Sequence, residues 1–290
     1  MTMAERRFAC TQCGRCCNRA PELELGEAAA LADVFVLRLM LRIYSLPRNL
    51  ADYQSENLPR DQASAEFYQS KRLLSSFAAA SWPAKVQRGD KRVDYIQHLS
   101  LSVLPLDLGT GSCSALRDSR CGIYPRRPLS CRSVPLHYSR PEASAVRDLD
   151  AFTANPGFAC DTGSTAPVVI AQDKIIDPAM RAARAAAMTQ AKTDQLWKKA
   201  IVKAMKAGRT LGLPTLSQVE ANAQRGALTT SMALGWQIAV SAGLMSHAAY
   251  RAATEAQASA ILSLSALPQM SADTRQALAG MGREYAAVLD

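Results

Sequence analysis

"GEAAALADVFVLRLMLRIYSL" spans residues 26–46. Ala30, Val34, Leu37 and Leu41 recur at spacings of three and four, the signature of a helix with one apolar face. Glu27 falls in its first turn and Arg38 and Arg42 near its end, as a helix macrodipole favours, and Pro47 closes it. The stretch therefore predicts a core helix.

Downstream, residues 61–80 read as a second helix with Phe67, Leu73, Leu74 and Phe77 inward, followed by Pro83. From 86 to 106 the pattern changes. Val93, Tyr95, Leu99, Leu101 and Val103 are candidate inward positions of a strand, with Arg88, Gly89 and Asp90 as a turn ahead of it. Residues 107–166 are irregular and rich in Gly, Ser, Pro and Arg, and 166–173 suggest another short strand. Beyond Pro178 cysteine disappears, alanine becomes abundant and the pattern is helical. The expected fold class is α+β and helix-rich: an irregular metal-binding core with a few short strands over residues 1–175, then an all-helical region over 176–290.

Upstream lies "CTQCGRCC", residues 10–17, with four of the eight cysteines; the others are Cys113, Cys121, Cys131 and Cys160. With 290 residues and 48% hydrophobic content the chain has no need of covalent staples. No apolar segment follows Arg6 and Arg7, so no secretory signal is expected and the compartment is read as cytoplasmic and reducing. Clustered thiols there point to metal or catalysis rather than disulfides. A C-x-x-C spacing lets two thiolates embrace one ion while backbone N–H groups point at the sulfurs, and Gly14 permits the tight turn. Cys10, Cys13, Cys16, Cys17, Cys113, Cys121, Cys131 and Cys160 are all candidate ligands. Adjacent side chains rarely reach the same ion, so one of Cys16 and Cys17 is read as serving a second site, a bridging role or a redox role. Eight cysteines suit two tetrahedral zinc sites, or one 4Fe-4S cluster with thiols to spare.

Net charge is +9, which favours anionic partners. Arg15, Arg19, Arg117, Arg120, Arg126, Arg127 and Arg132 sit within a few residues of a cysteine, where cations offset thiolate charge and lower thiol pKa. Tyr124 is suited to pack over the site, Pro128 to fix the turn before Cys131, and Arg127 and Arg132 to clamp an anionic small molecule or protein substrate. His137 is expected near the site but not as a ligand, His98 within a strand and His247 in helix packing. Trp197, Ile201 and Met205 share one face of a helix, with Lys198, Lys199, Lys203 and Lys206 read as largely off it. That basic face is taken as solvated, without a nucleic-acid partner. Residues 226–250 carry no charge, yet Thr229, Thr230, Ser231, Gln237, Ser241, Ser246 and His247 interrupt them, so a buried helix is expected rather than a membrane span.

"CTQCGRCC", followed by "CSALRDSRCGIYPRRPLSCRSVP" from Cys113 onward, resembles the CxxCxxCC, or YkgJ-like, cysteine-cluster family. Its second block matches at Cys113, Cys121, Ile123, Tyr124, Arg127, Pro128, Cys131, Arg132 and Pro135. Cys160 and Gly163 are similar to the family's last element, with Asp161 and Thr162 where Pro-Gly is usual. The resemblance covers about the first 165 residues and implies a chelated zinc or iron. More distantly, flagellin lysine-N-methylases carry a similar cysteine set. That likeness implies an iron–sulfur cluster near methyl transfer from S-adenosylmethionine, although the chain has no glycine-rich nucleoside loop. The functional expectation is a metalloprotein supporting redox or group-transfer chemistry. The alternatives are a zinc-stabilised binding module whose basic helical region docks a partner, or a protein methyltransferase.

Overall fold

The computed structural model describes residues 5–18, 20–53, 60–88, 90–108, 112–208, 210–268 and 270–289. Arg19 and Gly89, named above, lie outside them. In chain order the elements are β1 (Arg6–Arg7), β2 (Leu37–Pro47), α1 (Arg60–Phe77), β3 (Ala78–Arg88), β4 (Lys91–Pro105), β5 (Leu116–Arg117), β6 (Arg120–Cys121), α2 (Leu129–Arg132), α3 (Ala145–Thr153), β7 (Val168–Ala171), β8 (Lys174–Ile175), α4 (Pro178–Thr193), α5 (Gln195–Ala207), α6 (Leu216–Ala221), β9 (Leu228–Ser231), α7 (Met232–Ser241), α8 (His247–Ser265) and α9 (Ala272–Leu289). At 47% helix and 20% strand the chain is α+β and helix-rich. It folds into two compact units. One comprises Met1–Cys16, Ile43–Ser100 and Leu129–Lys192, the other Cys17–Arg42, Leu101–Pro128 and Thr193–Asp290.

In the first unit β1, β7 and β8 form a small antiparallel sheet, with Arg6 opposite Ile170 and Ile170 opposite Ile175. Gln172 and Asp173 both take positive φ, 50° and 55°, the backbone of a two-residue hairpin loop whose twist suits the strands. Phe8, Leu136, Leu149, Val169, Ile170 and Met180 close a core over this sheet, and Cys160 packs against it. α1 buries Phe67, as its spacing predicts, and Glu66 of the same helix takes Arg147 of α3 at 3.1 Å. β3 and β4 are a long antiparallel hairpin running from Ala78 opposite Ser100 to Arg88 opposite Lys91. Leu99 of β4 is fully buried.

The second unit contains the main correction. The expected helix over 26–46 is instead two short 3₁₀ turns, Leu25–Glu27 and Ala29–Leu31, and then strand β2. The strand lies between β4 and β9, and Arg38, Leu39, Met40 and Leu41 pair with Ser231, Thr230, Thr229 and Leu228. Leu37, Leu39, Met40 and Leu41 are each at most 1% exposed. A strand buried on both faces reads as a continuous apolar run, and apolar spacing within such a run does not distinguish helix from strand.

Gln257 of α8 fixes the start of β2. Its Oε1 accepts the Leu37 N–H at 2.8 Å and its Nε2 donates to the carbonyls of Ala32 and Phe35. The uncharged residues 226–250 are strand β9, the ten-residue α7 and the start of α8 rather than one helix. α7 buries Trp236, whose ring meets Tyr285 of α9 edge-on at 6.5 Å. Among the described residues no helix is long and apolar enough to cross a membrane. On α5, Ile201 and Met205 are buried and Lys199, Lys203 and Lys206 are exposed. Lys198 departs from its expected place: it is 1% exposed, its Nζ 3.5 Å from Glu24.

Candidate metal centre

The cysteines fall into both units. In the first, the backbone after β1 continues past Phe8, whose N–H donates to Pro167, to an antiparallel bridge between Ala9 and Asp161. The two residues exchange N–H···O bonds of 2.8 and 3.1 Å. Thr11 extends the register, its hydroxyl donating to the Ala159 carbonyl at 2.6 Å. Between these contacts the register sets Cys10 across from Cys160. Positive φ at Gln12 (59°) and Gly14 (70°) then curls the chain back.

Charge and burial reveal the company these thiols keep. The backbone hydrogen bond from Arg15, then the Thr11 hydroxyl and more weakly the Ala159 backbone, hold the Cys13 thiol below the usual range, against burial and the nearby Cys16. Burial pushes Cys160 up to about 11, and the charges of Cys16, Cys10 and Cys13 add to it. Cys10, Cys13, Cys16 and Cys160 thus share one electrostatic neighbourhood. A bound cation would reverse that mutual repulsion.

In the second unit the N–H of Cys113 donates to the carbonyl of Cys17 at 2.8 Å. Leu23 and Val103 exchange a pair of 2.8 Å bonds. From Cys113 the chain turns, Leu116 N–H to Cys113 carbonyl at 3.0 Å, into the β5–β6 hairpin. Asp118 and Ser119 at its tip both take positive φ, and Leu116 faces Cys121. Gly122 closes the hairpin by donating to Ala115, and a Cβ there would sit 3.1 Å from the Ala115 carbonyl oxygen. Burial pushes the Cys113 thiol up, relieved by a backbone hydrogen bond from Ala115, raised again by Cys121 and eased by Arg117. Cys131 is half-buried on α2, in the first unit.

The other expected residues have defined places. The Arg127 guanidinium lies over the Tyr124 ring, 3.7 Å from its centroid, and its Nε donates to the Tyr124 carbonyl. Arg126 pairs with Asp33 at 2.6 Å, and Arg117 donates to the carbonyls of Ser114 and Leu116. Arg15, Arg120 and Arg132 are exposed. His137 bonds Ser139 through Nδ1 and stacks on Tyr138. His98 is buried on β4 against Ser81. His247, expected in helix packing, is exposed at the first position of α8. Thr11 and Ala159 escaped the sequence reading, because nothing in either segment announces a strand pairing with the other.

All eight cysteines carry thiols rather than disulfides, and seven of them are half-buried. Among the described residues no three His, Cys, Asp or Glu side chains already form a group able to hold an ion. The donor chemistry fits zinc or iron: soft sulfur ligands, with backbone hydrogen bonds to one of them.

A family model described as "CxxCxxCC: Putative zinc- or iron-chelating domain" matches residues 9–158. No curated protein and no solved structure matches the chain.

Proposed function

The chain belongs to the CxxCxxCC family, and from that premise we propose that it is a cytoplasmic metalloprotein whose Cys10, Cys13, Cys16 and Cys160 hold a 4Fe-4S cluster. The observation that carries this reading is the Ala9–Asp161 bridge. It brings a remote fourth cysteine beside the first member of a C-x-x-C-x-x-C run, and such a run with one further cysteine is a familiar ligand set for four-iron clusters. When bound, the cluster would supply one-electron transfer or a Lewis-acidic iron for redox or group-transfer chemistry. The chain's own contribution is positional and electrostatic. The Arg15 backbone favours the Cys13 thiolate, and hydrogen bonds to ligand sulfur raise a cluster's reduction potential. The apolar wall behind Cys160, including Phe8 and Leu149, limits water on that side.

The test is anaerobic purification of the full chain, followed by iron and sulfide analysis and a visible spectrum. Thiolate-bound clusters give broad absorbance near ~400 nm that falls on reduction. Colourless protein without iron sinks the reading.

A further inference from the structure

We infer that the outer face of α5 and the turn that follows it form a docking surface for an anionic phospholipid bilayer. The inference stands apart from the cluster and uses none of its thiols. Leu196, Lys199, Lys203 and Lys206 follow one another at spacings of three, four and three, so they share one side of the helix. All four are exposed, Leu196 at 63%. In the turn after the helix Leu211 is 94% exposed. Two open aliphatic side chains thus stand at the ends of a lysine stripe within the second unit.

The fold holds this face outward. Ile201, Val202 and Met205 are buried on the opposite side of α5, and the Trp197 indole donates to the Gly235 carbonyl of α7 at 2.8 Å. The helix therefore cannot roll to hide its lysines. The turn is braced as well: the Leu213 N–H donates to the Thr210 carbonyl at 3.2 Å, and the Thr230 hydroxyl of β9 to the Gly212 carbonyl at 2.7 Å. Charge complementarity names the occupant. Residues 195–219 contain no Asp or Glu, and among the described residues no carboxylate pairs with Lys199, Lys203 or Lys206. Acidic headgroups would take the ammonium groups, while the leucines reach the boundary with the acyl chains. A nucleic acid would call for aromatic side chains on which bases stack. Trp197 is the sole aromatic residue over 195–221, and its indole N–H is committed to α7.

The test is co-sedimentation of the full chain, purified anaerobically, with vesicles of phosphatidylcholine alone or with about one-third phosphatidylglycerol. Wild type is expected to pellet with the anionic vesicles only and to be released as salt rises to about 0.5 M. Lys199→Gln, Lys203→Gln and Lys206→Gln combined should weaken binding about a hundredfold. Leu196→Ser and Leu211→Ser combined should weaken it about tenfold. Failure of wild type to pellet, or unchanged binding of the lysine variant, overturns the inference. Loss in the lysine variant with none in the leucine variant shows a general polyanion site and overturns the lipid assignment. Tighter binding to single-stranded DNA than to the vesicles overturns it too. If far-UV circular dichroism shows a variant unfolded, hydrogen exchange of wild type decides instead. Slower exchange at residues 210–213 in the presence of anionic vesicles supports docking there, and unchanged exchange refutes it.

Discussion

Cys10 and Cys160 are cross-strand neighbours, held so by the bridge between Ala9 and Asp161. In the sequence Cys160 is the odd member, followed by Asp161 and Thr162 where the family pattern has Pro-Gly. In the structure Asp161 supplies both backbone hydrogen bonds of the bridge, one of which a proline could not donate.

Cys160→Ser should therefore cost as much iron as Cys13→Ser, a loss of about tenfold for each. Elemental analysis of the two variants side by side is the check. Retention of near-stoichiometric iron in Cys160→Ser alone would remove it from the ligand set.

The thiols should titrate apart in metal-free, reduced protein. Cys13 lies below the ordinary thiol range and Cys160 is near 11. Timed alkylation near neutral pH, read by peptide mass spectrometry, should label Cys13 well before Cys160. The sign for stability follows from linkage. The raised Cys160 favours the folded state fully below the ordinary thiol pKa, a contribution lost as pH climbs toward about 11. The depressed Cys13 favours the folded state above that ordinary value and loses its contribution as pH falls through its own lowered pKa. Denaturant midpoints of metal-free protein that rise steadily from pH 9 to 11 would contradict the assignment for Cys160.

Gln257→Leu should destabilise the second unit by about 3 kcal/mol, because it strands the Leu37 amide and two carbonyls in a buried site. Urea unfolding followed by tryptophan fluorescence reads this through Trp236, buried in the same unit. A change within about 0.5 kcal/mol would mean that the start of β2 does not depend on that side chain.

Lys198→Met removes the buried ammonium beside Glu24 and should cost about 3–5 kcal/mol. Adding Glu24→Gln removes the charge but keeps an acceptor for the 3₁₀ turn that Glu24 caps. The double variant should recover most of the loss, and a double-mutant cycle measures it. Additive losses would show that the pair is not coupled.

The chelating family was legible because residue type and spacing are local properties. The run from Cys10 to Cys17 announces itself, and α1 and β7 follow from short-range patterns. β2 was not legible, since burial on both faces erases the alternation that marks a strand. β9 was hidden for a related reason. Its four residues, Leu228 to Ser231, lie in an uncharged stretch that reads as one helix until Arg38 through Leu41 are known to need a partner. Lys198 looked like its solvated neighbours because the acidic residue that draws it inward, Glu24, is remote in sequence. The partition of the cysteines was likewise invisible: Asp161 returning to Ala9 and Cys113 returning to Cys17 are facts of pairing, not of composition.

The Gln257 amide and strand β9 both come from beyond residue 158, where the family match ends, yet both complete β2. A shortened gene product ending near residue 175 would keep every cysteine and still leave the Leu37 amide and the Ala32 and Phe35 carbonyls without the Gln257 side chain, and an edge of β2 open. It should accumulate as insoluble material even when supplied with metal, whereas co-expression of the missing C-terminal fragment should return part of it to solution.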